Sequence, residues 1–127
     1  MAVALAVFMP AACPQEFDAG IRVSFDELHT QRSFEDSLGG FEEVVYIVPL
    51  RQGQALRVSL SSSNISNCFD IYAPEETKPV FVGGDSGNTY RLLARTTGEY
   101  RVKVYLLRLA ARDDQSARYT LELEQSE

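Results

Sequence analysis

Hydrophobic and polar positions alternate in short runs along most of this chain, a period-two pattern that belongs to strands rather than helices. The clearest run is Tyr100-Arg101-Val102-Lys103-Val104-Tyr105-Leu106-Leu107. It puts Tyr100, Val102, Val104 and Leu106 on one face, and the same parity carries Arg108 to that face at the strand end. A polar connection from Arg112 to Ser116 leads to Tyr119-Thr120-Leu121-Glu122-Leu123, with Tyr119, Leu121 and Leu123 inward, so the two runs read as a hairpin. Earlier strands are predicted over Ile21–Phe25, Glu43–Val48 (closed by Pro49), Ala55–Ser61, Cys68–Tyr72, Val80–Val82 and Tyr90–Ala94. Turns follow from Arg51-Gln52-Gly53-Gln54, Asp85-Ser86-Gly87-Asn88 and Thr96-Thr97-Gly98-Glu99, the last as a hairpin turn. The polar stretch Asp26–Gly40 reads as a long loop or irregular edge, and no segment has helical periodicity. The fold class expected is all-β, an antiparallel sandwich of about seven to eight short strands, with a barrel as the other closure.

Arg108 is the position where this pattern makes chemistry. A guanidinium carried to the core-side edge must either pair with a carboxylate or carbonyl, or project from the sheet end, because a buried unpaired charge is too costly to keep. Both outcomes are open for Arg108, and Arg112 shares the same connection. Adjacent carboxylates Glu42-Glu43, Glu75-Glu76 and Asp113-Asp114 have no calcium-loop spacing and read as solvated turns. One histidine, His29, in a polar loop supplies neither a triad nor, with two distant cysteines, a zinc site. No enzyme and no cofactor is expected.

Composition narrows the partners. The 127 residues are 45% hydrophobic, enough for one core, and the net charge of −6 argues against a nucleic-acid surface. An acidic chain is better suited to a basic protein partner. Residues 1–13 read as an export signal, possessing an apolar run Met1–Ala12 that ends in small residues, though without a positive start. Residues 20–127 then form one sandwich domain. Ala11-Ala12-Cys13 also fits lipoprotein processing as a minor alternative. If the leader is removed, Cys68 is a lone thiol in an apolar strand and a core residue. If Cys13 persists, a Cys13–Cys68 disulfide is open.

Four segments together resemble a family of exported bacterial β-sandwich domains that includes the periplasmic inhibitor of g-type lysozyme. They are Arg51–Leu60, Ser63–Ile71, Phe81–Asn88, and Gly98–Arg112 with Ala117-Arg118-Tyr119-Thr120-Leu121. The Arg108-x-x-Ala111-Arg112 spacing to Tyr119 is the most specific part. Where relatives extend the arginine pair with Arg and Gly, this chain has Asp113-Asp114, which makes the tip less basic. Ser86-Gly87-Asn88-Thr89-Tyr90 also resembles a Ser-Gly-x-x-Tyr pattern of other lysozyme inhibitors, whose serine and tyrosine enter the enzyme cleft. The resemblance implies an exported, non-enzymatic lysozyme inhibitor with Arg108, Arg112, Ser86 and Tyr90 as contacts to a lysozyme. The rival expectations are an accessory or carbohydrate-binding envelope module with no lysozyme partner, and a domain whose motif residues serve only the fold.

Overall fold

In the computed structural model, which describes residues 20–127 except for the side chains of residues 85 and 86, the alternating runs form two packed sheets. The strands are β1 (Ile21–Arg22), β2 (Gln31–Gly39), β3 (Val44–Leu50), β4 (Ala55–Ser62), β5 (Asn67–Tyr72), β6 (Pro79–Val82), β7 (Thr89–Leu93), β8 (Gly98–Leu106) and β9 (Ser116–Ser126). One sheet has the order β1-β3-β8-β5-β6, and the other β2-β9-β4-β7. All pairings are antiparallel except β1 with β3, which is parallel. The sandwich expectation is therefore met with nine strands among the described residues. Two helical turns join the sheets: α1 (Gly83–Ser86) after β6 and α2 (Arg108–Arg112) after β8.

Period-two patterning decides which side chains meet. β8 reads buried at Tyr100, Val102, Val104 and Leu106, as its alternation requires. β9 reciprocates from the other sheet with Tyr119, Leu121 and Leu123, and β4 with Leu56, Val58 and Leu60. The central strands thus supply a layer of aliphatic and aromatic side chains that is dry between the sheets. Within it the hydroxyls of Tyr46 and Tyr119 share a hydrogen bond of 2.8 Å. Burial is the first cause lifting both hydroxyls above the ordinary value near 10. Because the folded groups hold their protons more tightly than the unfolded ones, the stability they lend is complete below about pH 10 and drains as pH rises past it. A melting series from about pH 8 to pH 12 should therefore fall at the alkaline end. The Tyr46→Phe/Tyr119→Phe double variant should fall less steeply there, and either single variant should lose about 1–3 kcal/mol by stranding the other hydroxyl.

Several expectations needed correction. The stretch taken for a long loop contains β2, a nine-residue edge strand paired along its length with β9. Its inward positions are Arg32, Phe34, Asp36 and Leu38, so two polar residues break the alternation that marks a strand. Arg32 lies over the Phe34 ring and donates to the Ser24 carbonyl, which satisfies its charge at the open edge. The strand expected over Ile21–Phe25 is ordered as a strand only at its first two residues. β3 runs through Pro49, which is tolerated because β1 covers only Tyr46 and Ile47. The Arg51–Gln54 turn stands as expected, with Gly53 at φ 96° and Gln54 N–H donating to Arg51 O.

Neither expected late hairpin exists. β7 and β8 lie in different sheets, as do β8 and β9, so both connections cross between layers. α1 carries another of the crossings between sheets, from β6 to β7, and Gly83 is what lets it approach β5. A Cβ there would fall on the backbone carbonyl oxygen of Phe69, inside contact distance. Gly83→Ala should consequently cost about 1–3 kcal/mol, a drop in Tm of roughly 5–15 °C by calorimetry. An unchanged Tm would mean the crossing has room that these contacts deny.

Cys68 is buried as expected, but not between the sheets. Phe69 and Ile71 on β5 face the core, so Cys68 and Asp70 face the outer side of the five-stranded sheet. Cys68 is nonetheless buried, because Lys103, Tyr105 and Tyr72 crowd that surface, and burial pushes its thiol up. Cys13 and the expected export signal lie outside the described residues, so the disulfide does too.

Candidate functional site

β8 ends where Leu107 turns out of the sheet, its N–H donating to the Ser66 carbonyl at 2.9 Å. The parity that was to carry Arg108 inward stops at that residue. Arg108-Leu109-Ala110-Ala111-Arg112 then closes one helical turn, with Ala111 N–H bonded to Leu107 O. The local choice is physical: Leu, Ala and Arg are strong helix formers, and Ala110 and Ala111 are small enough to seat the turn on the end of the core. Asp114 leaves the turn at φ 57°, a conformation Asp tolerates better than most side chains.

Seating the alanines exposes the other residues of the turn. Arg108 and Arg112 are both exposed, and their i, i+4 spacing puts them on one face, about 5–6 Å apart at Cβ. Among the described residues the ion pairs are Arg22–Glu99, His29–Asp26, Arg51–Glu127 and Lys103–Glu43, none of which involves Arg108 or Arg112. Neither guanidinium makes a hydrogen bond to a described residue. Two adjacent cations with no ion-pair partner among the described residues repel each other by about 0.2–0.5 kcal/mol, a small destabilisation that the fold itself does not use. Of the two outcomes open for Arg108, the structure has the projecting one.

Three other segments converge on this end. Gly40 N–H, in the β2–β3 turn, donates to Gln115 O at 2.9 Å. Asn64, in the β4–β5 loop, donates through Nδ2 to Gln115 Oε1 and to Ser116 O, each at 3.0 Å. α1 lies beside Leu107, since a Cβ on Gly84 would sit 3.0 Å from Leu107 Cδ2. Apolar side chains crown the assembly: Ile65 is 98% exposed, Leu109 and Phe41 70%, and Leu107 37%. These apolar positions were not anticipated from sequence. The signal for Ile65 was present, however, as a lone aliphatic residue in Ser61-Ser62-Ser63-Asn64-Ile65-Ser66-Asn67.

The two other expected contacts fare differently. Ser86 closes α1 and so its backbone belongs to this end, followed by Gly87 at φ 109° and by Asn88, whose carbonyl accepts from Leu60 N–H. Tyr90 does not join the arginines. Its register partner Val58 is fully buried, so Tyr90 points between the sheets, and its ring stacks on Phe81 with centroids 4.4 Å apart. A concavity of about 940 Å³ between the β6 and β7 edges includes Tyr90, Leu92 and Tyr100 and neither arginine.

Among the described residues no three His, Cys, Asp or Glu side chains gather as metal ligands. His29 is exposed and bonds the Asp26 carboxylate, which it holds below the usual carboxylate range. What the α2 end offers is an exposed surface bearing two guanidiniums with apolar neighbours. Such a surface can accept a carboxylate from another protein by paired, charge-assisted hydrogen bonds.

No family profile matches the sequence, and no curated protein is detectably similar to it. Among solved structures the chain is similar to Aeromonas hydrophila PliG, a periplasmic lysozyme inhibitor of g-type lysozyme, with a TM-score of 0.74 at 19% identity over 84% of this chain and 96% of that one. It is similar to Salmonella Typhimurium PliG, a protein of the same description, with a TM-score of 0.66 at 20% identity over 84% and 97% of the two chains. A mutant of Escherichia coli PliG gives a TM-score of 0.65 at 22% identity over 85% and 100%. The fold is shared with these three proteins along nearly their whole length.

Proposed function

We propose that this protein is an exported, non-enzymatic inhibitor of a lysozyme, of the g type or a related one, and that it blocks the enzyme by presenting the α2 end to the active-site cleft. The observation that carries this reading is the exposed pair Arg108 and Arg112, unpaired among the described residues, on a fold shared with three periplasmic inhibitors of g-type lysozyme. Glycoside hydrolases work through carboxyl groups held beside the scissile bond. A guanidinium that reaches such a carboxylate neutralises the group the reaction needs and fills the space the sugar would occupy. Arg108 and Arg112 take this role. Ser86, at the end of α1, lies on the flank of the same surface. Tyr90 serves the site indirectly, by holding β7 against Phe81.

Charge assists the encounter. The chain carries a net charge of −6, which steers it toward a cationic enzyme, while its two local cations face the enzyme's acidic centre. Nucleic acid is no partner on this reading. No helix of the described residues is long and apolar enough to cross a membrane. The protein acts where lysozyme meets the cell wall, outside the cytoplasm.

The test is direct. Purified protein is titrated into g-, i- and c-type lysozymes acting on cell-wall suspensions, with a pull-down beside each assay. Stoichiometric loss of lysis in one class supports the proposal. Full activity of all three enzymes under excess protein overturns it, and retention of the protein on cell wall alone would point to an envelope-binding module instead.

A further inference from the structure

Ile65 is an aliphatic side chain that a soluble surface does not need, on a loop that has been made rigid. Asn64 Oδ1 accepts from Ser66 N–H at 2.9 Å, Ser62 Oγ from Asn64 N–H at 3.1 Å, and Asn64 O from Asn67 N–H at 3.0 Å. Outward, the residue before Ile65 donates to Gln115 and Ser116, just beyond α2, while Ser66 O accepts from Leu107 N–H, just before it. Ile65 is thereby clamped alongside the helical turn from both of its ends, yet is 98% exposed. Leu109, on the turn itself, is 70% exposed between the two arginines. A floppy loop with an exposed isoleucine is ordinary, but an isoleucine displayed by this many hydrogen bonds is preorganised for contact.

We infer that Ile65 and Leu109 form an apolar ridge beside the arginine pair that docks against an apolar or aromatic wall bordering the partner's carboxylate. This rests on the inhibitor reading and adds the second half of the partner's chemistry. The guanidiniums choose an acid, and the ridge requires that acid to lie in a cleft with an apolar wall. A water-excluding contact beside an ion pair also strengthens the pair, because it lowers the local dielectric. The ridge sets the lifetime of the complex, whereas the arginines and net charge set how it forms and responds to salt.

Ile65→Ser and Leu109→Gln test this, the second keeping a good helix former in α2. Each should weaken binding to the inhibited lysozyme about 10-fold, and the pair about 100-fold, mainly in the dissociation rate and nearly equally at low and high salt. Leu28→Gln, at another highly exposed leucine (88%) in the β1–β2 loop, is the control and should change nothing. Thermal melts of all variants should match the parent, which excludes misfolding as the cause. If the ridge variants inhibit like the parent while Arg108→Ala/Arg112→Ala fails, the ridge is overturned and the inhibitor reading stands. If weakening is matched by Leu28→Gln, or vanishes at high salt, the ridge is likewise overturned. A parent protein that binds no lysozyme sinks both together.

Discussion

Arg108→Ala/Arg112→Ala should abolish lysozyme inhibition while leaving the fold untouched. A buried interfacial arginine typically loses about 2 kcal/mol or more on truncation, roughly 30-fold in affinity. Two such losses approach 10³-fold if independent, and less if both groups grip one carboxylate, since neighbours couple. Neither arginine has an ionic or hydrogen-bonded partner among the described residues, so stability should shift by no more than about 0.5 kcal/mol. Relief of the i, i+4 repulsion even makes a slight gain the expected sign. Lysine at both positions should give intermediate inhibition, because an ammonium keeps the charge and loses the planar fork. Inhibition constants read beside melting curves decide it. A variant that melts early or precipitates would show the arginines to be structural, and undiminished inhibition would move the contact surface elsewhere.

The largest loss of stability should come from Phe69→Ala. Phe69 is fully buried on β5, its ring 5.1 Å from that of Phe81, which in turn stacks on Tyr90. Its carbonyl is also the surface against which Gly83 and α1 close. Removing the ring opens a cavity at the place where the two sheets and α1 meet, and such truncations lose about 3–5 kcal/mol. Small domains have only about 5–15 kcal/mol in total. The variant should unfold at clearly lower urea, and α1 with its Ser86 should loosen, so inhibition falls with stability. Phe69→Leu keeps most of the volume and should lose less than about 1.5 kcal/mol. A shift below about 1 kcal/mol for the alanine variant would mean that the core closes over the gap.

Legibility varied with how many faces of an element the core buries. β4, β8 and β9 could be read residue by residue, because one face of each is dry and the other wet. β2 could not, since an edge strand needs only Phe34 and Leu38 to hold it and leaves its remaining inward positions to Arg32 and Asp36. β5 was recognisable as a strand, but burial on both faces hid which way Cys68 points. At the site, the arginine spacing was visible at once, whereas its geometry was misread: inward parity assumed a strand that continues to Arg108. Tyr90 was marked by a five-residue pattern that says nothing about direction, and its pairing with Val58 turned it inward.

Alternation along the chain determined the all-β class, the inward faces of the central strands, and the two closely spaced arginines between the last runs. These are local matters, settled by a two-residue period and by the chemistry of each side chain. Which sheet a strand joins is not local. It depends on partners tens of residues away, and so only the folded chain decided that every connection except β5–β6 crosses between layers, that the last of them coils into α2, and that Gly40, Asn64 and Leu107 bind one end together. The exposure of Arg108, Leu109, Arg112 and Ile65 on a single surface is a product of those long-range pairings, because no period within a segment records where another segment will pass.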